Sequence, residues 1–156
     1  MTVAERLVAI LKAKGLMCAT SESCTGGGVG AAITSVPGSS AVFLGGVISY
    51  ANAVKQGVLG VSPTTLETVG AVSSETAAQM ADGARRLLKT DLAVSVTGIA
   101  GPDGGSAAKP VGLVWFGLAT KDGVRTEKAI FAGDRAAVRA QAVTHALGML
   151  TVGALA

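Results

Sequence analysis

The chain has 156 residues, of which 49% are hydrophobic and 15% charged, so disorder is excluded and one folded domain over residues 1–156 is expected. Its formal net charge of +3 and its few aromatic residues (one Trp, one Tyr and three Phe) argue against a nucleic-acid-binding protein. With no signal-like segment and no apolar run near the ~18 residues that cross a bilayer, the sequence predicts a cytoplasmic protein with no membrane partner.

The predicted elements alternate between helices and strands. In chain order they are a helix ending at Gly15, a strand over 16–20, a helix to about 36, a strand over 42–50, short helices from 52 and from 62, a helix over 73–88, a strand over 91–97, two strands over 111–120 and 124–131, and a helix over 134–150. The two late strands are expected to form a hairpin around Lys121-Asp122-Gly123. This alternation predicts an α/β fold, namely a single-domain three-layer αβα sandwich with a mixed sheet.

Capping residues support the helices of the first half. Thr2 and Glu5 have the spacing of a capping box. Asn52 is expected to cap the short helix that carries Lys55, because asparagine is a preferred N-cap residue. Pro63 suits the first position of the next short helix, where its missing N–H costs no hydrogen bond.

In the second half, Ser73 or Ser74 is predicted to cap the longer helix. Residues 98–110 read as a glycine-rich loop that follows a strand, and its length favours a substrate-binding role. The apolar tail from Thr151 is expected to fray or to pack on a partner subunit.

Ser23 is the first candidate for chemistry, because it follows a strand and precedes a glycine-rich helix start. The free N–H groups of the following turn, from Thr25 to Gly27, would point at the same place and could stabilise an oxyanion. Two other interpretations stay open, in which Ser23 or Thr25 is only an N-cap or the turn is a phosphate cradle. Cys24 is an alternative nucleophile without an evident histidine partner.

A serine nucleophile needs a base, and lysine is the natural choice here. The only histidine, His145, lies in an apolar helical pattern and is expected to be a packed or surface residue. Tyr50, Asn52 and Lys55 follow the end of a strand. Lys55 would have to be neutral to accept a proton, so burial or nearby cations must lower its pKa; the alternative is a solvated helix lysine.

Two further segments carry side chains suited to binding or catalysis. Arg135 and Arg139 lie one turn apart near a helix N-terminus and are suited to a phosphate or carboxylate, or else form an exposed basic face. Ser106 to Lys109 matches the S-x-x-K pattern of serine β-lactamases. That motif needs a helix, which the flanking glycines and Pro110 exclude, although Lys109 could still contact a substrate from the loop.

Several segments, taken in order, resemble the C-terminal domain of the CinA family, which also occurs alone as nicotinamide mononucleotide deamidase. The segments are 22–27 (ESCTGG), 38–40 (GSS), 50–55 (YANAVK), 70–73 (GAVS), 97–105 (TGIAGPDGG), 109–112 (KPVG) and 133–135 (GDR). The resemblance covers nearly the whole chain. It implies hydrolysis of nicotinamide mononucleotide to nicotinate mononucleotide and ammonia.

The resemblance also implies the site. Ser23 becomes the nucleophile, Lys55 the base and Tyr50 a proton relay or orienting group, with no metal and no cofactor. The expected substrate-binding residues are Glu22, Thr25, Gly26, Gly27, Asn52, Thr97, Gly98, Gly101, Arg135 and Arg139. The expected partners are a small nucleotide substrate and a second copy in a homodimer. Two competing hypotheses are a nucleotide-binding module without turnover and an interaction domain for a competence or DNA-damage partner.

Overall fold

The computed structural model describes residues 1–156 and contains five strands and six α-helices. The strands are β1 (Cys18–Glu22), β2 (Phe43–Ile48), β3 (Leu92–Gly98), β4 (Leu113–Thr120) and β5 (Gly123–Ile130). The helices are α1 (Val3–Lys14), α2 (Gly28–Thr34), α3 (Asn52–Gly57), α4 (Pro63–Thr68), α5 (Ser74–Leu88) and α6 (Arg135–Leu155), with a short 3-10 helix at Ser39–Ala41.

The five strands form one mixed sheet in the order β2-β1-β3-β4-β5. Strand β1 is parallel to both β2 and β3, whereas β3–β4 and β4–β5 are antiparallel pairs. Helices α1, α2 and α6 contact one another on one face, and α5 packs against the strands on the other. The predicted αβα sandwich with a mixed sheet is therefore confirmed, as is the hairpin of the last two strands.

Alternation along the central strands supplies both hydrophobic layers. In β3, Val94 and Val96 belong to the larger core under α1, α2 and α6, while Ala93 packs into the smaller core under α5. Cys18 and Ala19 divide in the same way in β1. Successive side chains of a strand point to opposite faces, so a strand covered on both sides is apolar almost throughout.

Strand β1 lies two residues later than the predicted range of 16–20. Its polar end, Ser21 and Glu22, is fully paired with β2 on one side and β3 on the other. Both residues are buried, with side chains at most 2% exposed. Polarity suggested a loop here, but hydrogen bonding to two neighbouring strands outweighs it, and Ser23 thereby comes directly after the strand end.

The helix caps agree with the sequence prediction in all but one case. Thr2 and Glu5 form the capping box, and Ser73 accepts from the Thr76 N–H at the start of α5. The predicted cap of α3 was wrong. The N-cap residue is Ala51, which has no capping side chain, and Asn52 is already the first helical residue.

Of the two alternatives for the tail, fraying is wrong, whereas packing on a partner subunit stays a prediction. Helix α6 runs on through Thr151 to Leu155. Ala154 is buried, and its carbonyl accepts a 2.6 Å hydrogen bond from Nζ of Lys14 at the end of α1. This contact holds the last turn of α6 against the body of the domain. No helix of the structure combines the length and apolar character needed to cross a membrane.

The sheet topology creates a crevice at the carboxyl ends of β1 and β2. The chain leaves β1 toward α2 on one face of the sheet and leaves β2 toward α5 on the other. In open α/β sheets, ligands bind outside the carboxyl ends of the parallel strands. Ser23 follows β1 and Lys55 follows β2, so the fold brings both to this edge.

Candidate active site

Ser23 occupies a fixed position at the carboxyl end of β1. Its N–H donates a 2.9 Å hydrogen bond to the Val96 carbonyl of the neighbouring strand β3. Its residue surface is 8% exposed. The strand pairing thus sets the direction of the Ser23 backbone, and the residue is almost fully buried.

Lys55 reaches Ser23 from the other side of the crevice. Its Nζ lies 3.0 Å from Ser23 Oγ, 2.7 Å from the Ser49 carbonyl oxygen and 3.0 Å from the Tyr50 carbonyl oxygen. The residue is only 1% exposed, although lysine is almost never fully buried without a carboxylate partner. The two residues are 32 positions apart in sequence, and the parallel pairing of β1 with β2 brings them together.

The short connection from β2 to α3 explains this reach. The Ser49 N–H donates to the Glu22 carbonyl at 2.7 Å, which ties the end of β2 to the end of β1. Helix α3 starts immediately afterwards, and the Lys55 N–H already bonds back to the Ala51 carbonyl. Lys55 therefore lies one turn into the helix and folds back over the two carbonyls that precede it.

Burial lowers the pKa of Lys55 below its ordinary value of 10.5, because an ammonium group loses its hydration there. Either form of the amine can make the three contacts, because an ammonium group has three N–H donors. A neutral amine has two N–H donors and one lone pair. When the Ser49 and Tyr50 carbonyls accept the two N–H groups, the lone pair is directed at the Ser23 hydroxyl. The arrangement can therefore remove the serine proton.

The turn after Ser23 offers backbone donors. Gly26 N–H closes the turn by bonding to the Ser23 carbonyl at 3.1 Å. The N–H groups of Cys24, Thr25 and Gly27 have no acceptor in the structure. The positive φ angles of Gly26 (58°) and Gly27 (100°) allow this tight turn, since other residues rarely adopt them. An unpaired N–H group beside a nucleophile can stabilise an oxyanion.

The Glu22 side chain binds backbone groups of α2 and does not point into the crevice. Its carboxylate accepts hydrogen bonds from Val29 N–H at 2.8 Å and Gly30 N–H at 3.1 Å, and the residue is 2% exposed. Helix α2 starts from Gly27, which has no capping side chain. The buried carboxylate supplies this missing cap and complements the positive end of the helix dipole.

The two arginines of α6 contact the loops around the site. Arg139 donates from Nε to the Cys24 carbonyl at 3.1 Å and from Nη2 to the Thr25 carbonyl at 3.3 Å. Arg135 donates from Nη1 to the Gly101 carbonyl at 2.9 Å. Both residues are exposed, and each keeps donors that no protein group accepts.

The loop after β3 completes this edge of the sheet. Thr97 is buried and donates from its hydroxyl to the Ala71 carbonyl at 2.8 Å, so it fixes the segment before α5. Gly98 is half-buried at the strand end. Gly101 is buried with a φ of 82°, and a Cβ there would overlap Val111. The glycine therefore lets the loop fold back on itself beside Arg135.

Tyr50 and Asn52 lie at the rim. Tyr50 contributes its backbone carbonyl to Lys55, but its side chain is 65% exposed and the hydroxyl makes no hydrogen bond to the protein. The Asn52 side chain is exposed and is likewise unbonded. The hydroxyl of Thr25, by contrast, is buried without any partner. These three side chains have polar groups left for a ligand.

The competing nucleophile and bases lie in unsuitable environments. Burial raises the pKa of the Cys24 thiol to about 11, which leaves almost no thiolate near neutral pH. His145 contacts Glu127 at 2.6 Å and stacks against Phe116, as expected for a packed histidine. Ser106 lies in a loop and not on a helix, as predicted.

Lys109, the other end of that S-x-x-K pattern, donates to the Val69 carbonyl at 2.6 Å and so braces the loop before α5. A cavity of about 760 Å³ lies at the opposite end of the strands, beside Lys14, Asp91 and the turn between β4 and β5. It contains none of the candidate residues.

The sequence prediction missed one contributor. Ser49 provides the shortest contact to the Lys55 amine, through its backbone carbonyl. A backbone acceptor has no side-chain signature, so residue type could not reveal it. The short spacing between a strand end and a helical lysine was the only available signal.

Comparison with known proteins places the chain in a family. The model of the CinA C-terminal domain matches residues 1–152. The chain belongs to this family. A nicotinamide-nucleotide amidohydrolase of Enterobacter agglomerans is 56% identical over 140 residues, which are 89% of the chain and 85% of that relative. The Escherichia coli K12 protein of the same name is 48% identical over 151 residues, covering 96% and 92%.

Other relatives of the CinA family are longer. A putative competence-damage inducible protein of Halothermothrix orenii is 58% identical over 127 residues, but the match covers 81% of the chain and only 31% of that protein. Among solved structures, a competence/damage inducible protein from Agrobacterium tumefaciens has a TM-score of 0.95 at 44% identity, covering 99% of the chain and 94% of its own. The family fold expected from the sequence is thereby confirmed.

The buried carboxylate of Glu22 gives a stability prediction. Glu22→Gln keeps the size of the side chain but replaces one acceptor oxygen by an NH₂ group that faces a helix N–H. We expect the free energy of unfolding to fall by about 2 kcal/mol, the range for losing a hydrogen bond to a charged group. Urea denaturation measures this change. Exposed Glu67→Gln on α4 is the matched control and should change stability by less than about 0.5 kcal/mol. Equal effects of the two substitutions would contradict the capping role.

Proposed function

We propose that the chain hydrolyses the carboxamide of nicotinamide mononucleotide to nicotinate mononucleotide and ammonia, with Ser23 as nucleophile and Lys55 as general base. The observation that carries the proposal is the 3.0 Å contact between Lys55 Nζ and Ser23 Oγ in a buried site. The substrate is suggested by relatives of 56% and 48% identity that are named nicotinamide-nucleotide amidohydrolases.

The first half of the reaction forms an ester. Ser23 Oγ attacks the carboxamide carbon while the neutral Lys55 amine takes the hydroxyl proton. The carbonyl oxygen becomes an oxyanion, for which the unpaired N–H groups of the turn after Ser23 are the nearest candidate donors. When the C–N bond breaks, the Lys55 ammonium returns its proton to the leaving nitrogen, which departs as ammonia.

The second half regenerates the enzyme. A water molecule takes the place of the ammonia and gives a proton to Lys55 as its oxygen attacks the ester carbon. The bond to Ser23 Oγ then breaks, and the proton returns to the serine. The product leaves as a carboxylate. Tyr50, whose hydroxyl is free at the rim, would relay the proton to or from the leaving group.

The nucleotide part of the substrate needs an anion site. Arg135 lies in the first turn of α6 and keeps donors beyond its contact with Gly101, so it is our candidate for the phosphate. The exposed Asn52 amide and the partnerless Thr25 hydroxyl are candidates for the ribose or the carboxamide.

A nucleotide-binding module without turnover fits the site less well. Burying an amine disfavours its charged form, and a binding module gains nothing from that cost. Phosphate recognition would be better served by a charged and exposed lysine. A lysine whose burial lowers its pKa, in contact with a serine hydroxyl, serves a reaction of that hydroxyl better than it serves binding.

Removal of either partner should stop the reaction. We expect Ser23→Ala and Lys55→Met each to lower kcat for ammonia release by roughly 10⁴-fold or more, since nucleophile and base act as a unit. An ammonia assay on nicotinamide mononucleotide measures this, with circular dichroism to verify folding. Lys121→Met, at the exposed hairpin turn, is the control and should keep wild-type activity. Full activity of Ser23→Ala would contradict the proposal that Ser23 is the nucleophile.

The pH profile should report the Lys55 amine. We expect kcat/KM to rise with pH through a midpoint below 10.5 and then to level off, because only the neutral amine accepts the proton. Stability should follow the same group. The unfolded chain binds more protons than the folded chain between the two pKa values, so the free energy of unfolding rises with pH in that window. Lys55→Met should flatten this rise, whereas an unchanged slope would contradict the lowered pKa.

Tyr50→Phe separates the two contributions of this residue. The substitution keeps the backbone carbonyl that holds Lys55 and removes only the hydroxyl. We expect kcat to fall by about 10²-fold, the lower range for loss of a proton-transfer group. The thermal unfolding midpoint should stay unchanged, because the hydroxyl makes no protein contact. Wild-type kcat in this variant would restrict Tyr50 to its backbone role.

A further inference from the structure

Arg139 holds the peptide groups that follow Ser23, although sequence reasoning assigned it to the substrate phosphate. Its Nε and Nη2 contact the carbonyls of Cys24 and Thr25, which lie more than a hundred residues earlier in the chain. A guanidinium group can hold two neighbouring acceptors at once because its donors form a rigid fork.

These two contacts fix different peptide planes. The plane between Thr25 and Gly26 is held at both ends, since the Thr25 carbonyl accepts from Arg139 and the Gly26 N–H donates to Ser23. The plane between Cys24 and Thr25 is held at one end only. Arg139 binds its carbonyl, and its N–H, that of Thr25, has no acceptor.

Because the peptide group is planar, a contact that fixes its carbonyl also fixes the direction of its N–H group. In a trans peptide, the C=O and N–H bonds point in opposite directions. Fixing the Cys24 carbonyl toward α6 therefore turns the Thr25 N–H away from α6. The turn's own backbone hydrogen bonds, from Gly26 N–H to Ser23 and from Gly28 N–H to Thr25, hold the next peptide plane and not this one. The plane between Cys24 and Thr25 is therefore restrained by Arg139.

We propose that Arg139 is a positioning residue, which orients the Thr25 N–H as an oxyanion donor for the reaction of Ser23. The inference rests on the proposed function, because it assigns a role within that reaction. It also separates the two arginines of α6. Arg135 is left for the phosphate, and Arg139 acts on the transition state through the backbone.

The test compares turnover with ground-state binding. We expect Arg139→Ala to lower kcat for nicotinamide mononucleotide by about 10²- to 10³-fold, the effect of losing one oxyanion donor. In a Ser23→Ala background, which cannot turn over, the Kd for nicotinamide mononucleotide should change less than about threefold when Arg139→Ala is added. Isothermal titration calorimetry measures this Kd.

A phosphate-binding role makes the opposite prediction. In that case Arg139→Ala would raise KM and the Kd in the Ser23→Ala background by tenfold or more with kcat nearly unchanged, which would overturn the inference. Wild-type kinetics in Arg139→Ala would overturn it as well. If this variant does not fold, Arg139→Lys is measured instead. A lysine lacks the rigid fork of donors that fixes the two carbonyls in one geometry, so kcat should still fall more than KM changes.

The control distinguishes this inference from the proposed function. Arg86→Ala, on the exposed side of α5, should behave as wild type in every assay. If wild-type protein releases ammonia and loses activity on Lys55→Met, but not on Arg139→Ala, only the positioning role fails. A wild-type protein without ammonia release would overturn both.

Discussion

The burial of a single amine is the constraint on which the rest of the site depends. Lys55 is 1% exposed, and it is held by one hydroxyl and two backbone carbonyls with no carboxylate beside it. A nearby carboxylate would stabilise the ammonium form and raise the pKa, whereas carbonyl acceptors can be satisfied by a neutral amine. Because no carboxylate lies beside the amine, burial can favour its neutral form, which the proposed mechanism needs as the base.

The sheet supplies the precision that this amine requires. Ser23 is fixed through β1 and β3, and the Ser49 end of β2 is fixed to the Glu22 end of β1. Ser23 thus directly follows one strand, and Lys55 lies on the short helix after the adjacent parallel strand. A site built on regular elements keeps its distances better than one on loops. The buried Glu22 carboxylate extends this order to α2, whose first turn would otherwise have no cap.

Sequence patterns predicted the architecture and the pair that we propose to react, but they missed what depends on backbone atoms. Periodicity and turn residues were enough for the order of helices and strands, and the segments around Ser23 and Lys55 carried the family resemblance. The distance between these two side chains could not be read from residues 32 positions apart. The role of the Ser49 carbonyl could not be predicted, because a backbone carbonyl can accept a hydrogen bond whatever the residue type. The polar residues of β1 led the prediction to end this strand too early, because backbone pairing with strands on both sides does not depend on residue type.

The arginines illustrate why residue type alone misassigns a role. A pair of arginines one turn apart near a helix N-terminus suits a phosphate, and Arg135 keeps that possibility. In the folded chain, α6 crosses beside the turn that follows Ser23, and Arg139 uses two of its three nitrogen atoms on carbonyls there. A group engaged in this way has fewer donors for a ligand but more control over the backbone. The glycines of the turn leave its backbone flexible, whereas the proposed reaction needs the N–H groups in fixed positions. Arg139 on the last helix supplies this restraint through its contacts with the carbonyls.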